Sequence, residues 1–197
     1  MRAIAVGVGV VVVGVCAAGT GAEAFSVSYD QKITQGRQVM TGTVSVKDEL
    51  FRMEMTMDGH AMVTIRNAGS TYTYMPEEGI AMRLPQLNPS QRPIEHADDY
   101  PQYLQERHAE RIGAETVDGH PCEIYRFTDP EIQGISTAWV WTEKQFPIKM
   151  ELDGTGGKTL VEIQNVQLGA AIPDEAFQLP AGVQVMDMGN MMPMGLQ

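Results

Sequence analysis

The side chains able to do chemistry are few in this chain, and their spacing does not suit catalysis. Glu77-Glu78, Asp98-Asp99 and Asp129 with Glu131 are carboxylate pairs of the kind that can divide acid and base roles. All three fall where turns or a helix start are expected, so solvated and capping roles take precedence. His60, His96, His108 and His120 contain no H-x-x-x-H pair, and with two cysteines in the whole chain there is no zinc box. There is no G-x-S-x-G and no phosphate-binding glycine loop. The residues therefore point away from an enzyme, and they call for no cofactor and no metal ion.

The 14 methionines are more suggestive. Strand alternation from residue 51 puts Phe51, Met53, Met55 and Met57 on one face and Arg52, Glu54 and Thr56 on the other. Three readings of that apolar face stand side by side. Methionine fills irregular core space, its flexible side chain suits a wall lining varied acyl chains, and its thioether is a soft ligand for Cu(I). Near the C terminus Met186, Met188, Met191, Met192 and Met194 fall within nine residues. Residues 186–197 read as a flexible tail, with weak Cu(I) capture or an adhesive contact with lipid or a partner as the alternatives.

Two further groups belong either to the core, the first reading, or to the lining of a cavity for an apolar guest. Trp139 and Trp141 share one face of their strand, and Ile148, Met150 and Leu152 share a face of the next. Tyr100, Tyr103 and Leu104 lie at helical spacing and form a face that must pack on a sheet.

The elements that position these groups are mostly strands. Period-two alternation, broken by turns, marks segments near 25–34, 38–46, 50–57, 62–67, 70–75, 80–84, 112–117, 122–128, 135–142, 148–152 and 158–168. Asp58-Gly59, Asp118-Gly119 and Asp153-Gly154 are the turn signals. So many short strands must twist into a curved sheet or barrel. One helix interrupts them, capped by Asp98 or Asp99 after a Pro-rich stretch at 85–93, with Pro101 in its first turn, and running toward Arg111. A second short helical turn is expected at 173–177.

Charge and address narrow the function further. With 25 acidic against 14 basic residues the net charge is −11, and the basic residues form no runs, which excludes nucleic acid as a partner. Residues 1–24 read as a signal peptide: Arg2, an apolar stretch from Ala3 to Val15, and Ala22-Glu23-Ala24 as the cleavage site. The mature chain then begins at Phe25 in the periplasm. The alternatives are an uncleaved N-terminal anchor or lipidation of Cys16. After cleavage Cys122 is the sole cysteine, expected as a buried small residue in a strand rather than a nucleophile.

Several segments together carry a family likeness. Thr41-Gly42-Thr43-Val44-Ser45-Val46-Lys47 precedes Phe51-Arg52-Met53-Glu54-Met55. Further on come Val117-Asp118-Gly119-His120-Pro121-Cys122-Glu123-Ile124-Tyr125, then Trp139-Val140-Trp141-Thr142 and Phe146-Pro147-Ile148-Lys149-Met150-Glu151. The ending is Ile172-Pro173-Asp174-Glu175-Ala176-Phe177-Gln178-Leu179-Pro180. In these the chain resembles the periplasmic lipoprotein carrier superfamily, LolA- and LolB-like, in its branch of small secreted domains without an assigned reaction.

The resemblance implies an α+β, mainly β fold over residues 25–185. Its curved antiparallel sheet would form an incomplete β-barrel, with one or two helices covering the concave side and an apolar cavity between them. It also implies a non-enzymatic binder of a hydrophobic ligand, either acyl chains, lipid or a lipidated protein, in transient contact with envelope proteins or the membrane. Phe51, Met53, Met55, Met57, Trp139, Trp141, Ile148, Met150, Leu152, Tyr100, Tyr103 and Leu104 are the candidate lining. A copper binder and a surface sensor or scaffold with a filled core are the alternatives.

Overall fold

A computed structural model describes residues 25–67, 69–84, 100–130 and 132–187. The expected signal peptide, Cys16, the Pro-rich stretch, His96, Asp98, Asp99, Glu131 and the tail from Met188 lie outside the described residues.

Twelve strands form one sheet. They are β1 (Ser26–Gln35), β2 (Gln38–Lys47), β3 (Leu50–Met57), β4 (His60–Asn67), β5 (Ser70–Met75), β6 (Ile80–Leu84), β7 (Glu110–Val117), β8 (His120–Asp129), β9 (Gly134–Trp141), β10 (Phe146–Gly154), β11 (Gly157–Leu168) and β12 (Gln184–Asp187). The order across the sheet is β12-β6-β5-β4-β3-β2-β1-β11-β10-β9-β8-β7. Two antiparallel meanders, β1–β6 and β7–β11, thus meet where β1 pairs with β11. The outer strands β12 and β7 do not pair with each other, so the barrel stays open, as the resemblance implied. One pair departs from the antiparallel pattern: β12 runs parallel to β6.

The curvature has local causes. Register shifts at Ser28/Asp30, Arg111/Gly113 and Pro147/Lys149 insert bulges that bend their strands. Gly42 marks a close approach within β2, because a Cβ there would overlap the Glu54 carbonyl and lie 2.6 Å from Met55 Sδ. The Asp58-Gly59 and Asp118-Gly119 turns both have positive φ at each residue, as two-residue hairpins require. Asp153-Gly154 does not make a turn. It continues β10 opposite Lys158 and Gly157, and the loop is Thr155-Gly156.

The helix α1 (Tyr100–Glu106) carries Pro101 in its first turn as expected but stops short of Arg111. His108 adopts φ +51° and the Ala109 N–H bonds back to the Leu104 carbonyl at 2.8 Å, a left-handed ending that releases the chain into β7. Arg111 is therefore a strand residue.

One continuous core lines the concave side. Val27, Tyr29, Ile33, Val44, Val46, Phe51, Met53, Phe127, Ala138, Met150, Val161 and Ile163 are all buried in it, beneath Tyr100 and Leu104 of α1. The expected second helical turn is present as a 3-10 turn at Asp174–Phe177, but it covers the opposite face. Residues directly opposite across strands share a face, so Arg52 and Ile65 point away from Met53. On that outer side Lys47 Nζ donates to Ile172 O and to Asp174 Oδ1, Arg52 Nη1 to Ala176 O, and Asn67 Nδ2 to Phe177 O. The segment is thereby strapped across β2–β4, over buried Val63, Ile65, Ala81 and Phe177.

Candidate functional site

The methionine face forms as the alternation predicted. Phe51, Met53 and Met55 are buried, with Met53 1% exposed, while Met57 at the strand's end is 44% exposed. The register adds residues that sequence reasoning missed. Gln31 lies opposite Gly42, Gly42 opposite Met55, and Met55 opposite Met62, so these four form one row across β1–β4. Met40 stands two residues before Gly42 in β2 and is also buried. Met62 is 43% exposed. The concave face therefore carries a methionine patch on three adjacent strands, graded from closed interior to open rim. No spacing along the chain could reveal it, because Met40 and Met62 belong to other strands.

Gln31 is the polar exception in this patch. It is 2% exposed, and its Nε2 donates to Met55 Sδ at 3.5 Å and to Met53 Sδ at 3.8 Å. Its Oε1 is buried with no partner among the described residues. Thioether sulfur is a weak acceptor, so this amide is poorly served at both ends.

The second candidate group divides. Met150 lies opposite Ala138, and Leu152 opposite Ser136, which places both on the concave side with Phe127. Trp139 lies opposite Lys149 and Ile124, hence on the other face. Its Nε1 donates to Glu115 Oε2 at 2.8 Å and Lys149 Nζ sits 4.0 Å from the ring centre. Trp141 stacks on His120 with ring centres 4.0 Å apart, and its buried Nε1 has no partner among the described residues. Trp139 therefore does not join Met150 and Leu152. The alternation that groups residues within a strand says nothing about which face of the next strand they meet.

Tyr100 and Leu104 are buried against the concave face, and the Tyr103 ring meets Phe127 edge-on at 5.6 Å. Burial pushes the Tyr100 hydroxyl far up, with Tyr103 and Asp129 adding to the effect, so it stays protonated. Its oxygen has no partner among the described residues either. Asp129, expected in a solvated turn, is instead buried at the end of β8 and accepts from Ser136 Oγ at 3.1 Å.

Two open clefts flank the sheet. One of about 390 Å³ is bordered by Asp118, His120, Ile148, Ile163 and Asn165, the other of about 580 Å³ by Thr34, Arg126, Ile135, Leu152 and Lys158. Of the candidate lining, Ile148 borders the first and Leu152 the second. Of the remaining candidate lining, Phe51, Met53, Met55, Trp139, Met150, Tyr100 and Leu104 are buried.

The catalytic constellations remain dispersed. Cys122 is buried, its thiol pushed up chiefly by burial, and it donates to the His120 carbonyl at 3.3 Å. A thiol held protonated in this way is a poor nucleophile. Glu77 binds His60 Nδ1 at 2.8 Å on the surface. Among the described residues no three His, Cys, Asp or Glu side chains gather to hold a metal ion.

Fold and site together define an open-barrel domain with an apolar concave face under a short helix. A family model described as a domain of unknown function, DUF4412, matches residues 27–145, and the chain belongs to that family. No curated protein matches it. An uncharacterized conserved protein from Thermus thermophilus shares 10% identity over 82% of this chain and 90% of its own, with a TM-score of 0.61. MucB of Pseudomonas aeruginosa, solved in complex with MucA, shares 18% identity over 82% of this chain and 58% of its own, with a TM-score of 0.54. The chain thus spans under two-thirds of MucB. At these identities the likeness is one of fold, and that fold agrees with the open barrel which the carrier resemblance implied.

Proposed function

We propose that this protein is a secreted, non-enzymatic binding protein for a hydrophobic ligand, an acyl chain or lipidated partner, taken up on the concave face of the sheet. The observation that carries the reading is that face itself: apolar from Phe51 to Met150, edged by half-exposed Met57 and Met62, and covered by a helix of seven residues. A helix this short has little stability of its own and depends on the packing of Tyr100 and Leu104. Binding proceeds by displacement of α1, whose place the ligand takes. At about 25 cal/mol per Å², sheltering a few hundred Å² of acyl chain yields several kcal/mol before losses of freedom are counted. Flexible thioethers adapt to chains of different shape.

The periplasm is the proposed compartment. Cleavage after Ala24 would turn the Phe25 nitrogen, 2.9 Å from Asp48 Oδ1, into an ammonium facing a carboxylate. Among the described residues no helix is long and apolar enough to cross a membrane. A protein ligand is the second reading, favoured by the likeness to MucB, whose structure with MucA is known.

Native mass spectrometry of protein purified from its own envelope tests the proposal. The expected result is a co-purifying lipid mass, kept or increased when Leu104→Asp loosens α1 from the face the ligand takes. Protein that is always empty and excludes hydrophobic dyes overturns it.

A further inference from the structure

We infer that Gln31, Met53 and Met55 form a site for a soft monovalent metal ion, of the Cu(I) or Ag(I) class, inside the methionine patch. This goes beyond the hydrophobic-ligand reading and does not depend on it. The two sulfurs converge on one buried amide, at 3.5 and 3.8 Å from Gln31 Nε2, and the other end of that amide has no partner among the described residues. A half-turn of the terminal amide exchanges Nε2 with Oε1 at little steric cost, since the two atoms are nearly alike in size. That places a carbonyl oxygen and two thioethers around one point.

The separations suit such a centre. With metal–sulfur bonds of about 2.3 Å and a metal–oxygen bond of about 2.1 Å, as for zinc, tetrahedral to trigonal angles put sulfur and oxygen roughly 3.6 to 3.8 Å apart. Gly42, opposite both Gln31 and Met55, leaves the space into which the Met55 sulfur reaches.

The donor set also selects the ion. All three ligands are neutral, and burying charge in an apolar interior grows far more costly from one unit to two. Thioethers favour Cu(I) over harder divalent ions. The half-exposed Met57 and Met62 on the same face offer further thioethers between the rim and the interior.

Ag(I), which does not change oxidation state under the conditions used, is the probe. It is titrated into the protein with its native length, Met188, Met191, Met192 and Met194 being replaced by leucine so that the tail cannot bind. Methyl-labelled methionine spectra should show Met53 and Met55 shifting with one equivalent of Ag(I), and Zn(II) should leave them unmoved. Affinity should fall at least about tenfold in Gln31→Leu and in Met53→Leu/Met55→Leu, changes that nearly conserve volume. Shifts confined to Met57 and Met62, affinity unchanged in the double variant, or equal binding of Zn(II) would each overturn the inference. The methyl map of the unsubstituted core decides the matter even where a variant fails to fold.

Discussion

The two meanders of the sheet handle their outer faces in opposite ways. Across β2–β4 the outer face is covered by the chain's own C-terminal segment, which carries the buried Phe177, lies on the side of buried Val63 and Ile65, and ends as β12 along β6. Across β7–β10 the described residues place no such cover. There Trp139 is buried between polar partners, with Lys149 over its ring and Glu115 on its indole nitrogen. The comparison teaches that the first half owes its stability to a second small core, whereas the second half relies on the concave core and a few charge-assisted contacts.

The sharpest way to break the comparison is to remove the strap. Phe177→Ala should cost about 3–5 kcal/mol, the range for deleting a buried aromatic, measured by urea denaturation. Hydrogen exchange should then quicken in β12 and β6 while β8–β10 stay protected. Uniform loss of protection would show that the outer core is not a separate unit. In the other half, Trp139→Phe keeps most of the ring and deletes the bond to Glu115. Its effect should be about 1.5–3 kcal/mol, as for a hydrogen bond to a charged group, and exchange in β3–β6 should not respond.

Gly42→Ala tests how closely β2 and β3 approach. The added methyl would meet the Glu54 carbonyl, and overpacking of this kind costs about 1–3 kcal/mol, read from the shift in the denaturation midpoint. A neutral result would mean that the strands part without strain.

The smallest effect is at the surface. Glu77 raises the His60 pKa above 6.5, first through its hydrogen bond and then through its charge. Because the folded value is the higher one, this stabilisation is present in full below pH 6.5 and fades as pH rises through the folded pKa. An NMR titration should show the His60 midpoint above its ordinary value, and Glu77→Gln should bring it back. No change on that substitution would remove the pair from consideration.

Much of the architecture was legible from alternation and turns. Leu50–Met57, Ser70–Met75 and Ile80–Leu84 coincide with the segments expected, and most other strands differ by one or two residues at an end. β12 was not legible. Its four residues are exposed and carry no alternation, and Met186, expected in a flexible tail, is part of it because β6 offers a free edge. The helix was placed correctly but drawn too long, since the left-handed turn at His108 involves neither glycine nor asparagine.

The candidate site was legible only in part. Phe51, Met53 and Met55 follow from a single strand, and so does their burial. Gln31, Met40 and Met62 come into the patch through pairing with neighbouring strands, and Trp139 leaves the group because Lys149 rather than Met150 stands opposite it.

By itself, then, the chain of residues determined eleven of the strands, β12 excepted, and the apolar side of strands such as β3, because both are local properties of alternation and turn geometry. Only the tertiary structure decided which apolar sides face one another, where the bulges bend the sheet, and which face the C-terminal segment covers. Those outcomes depend on register, and register is set by contacts between residues distant along the chain.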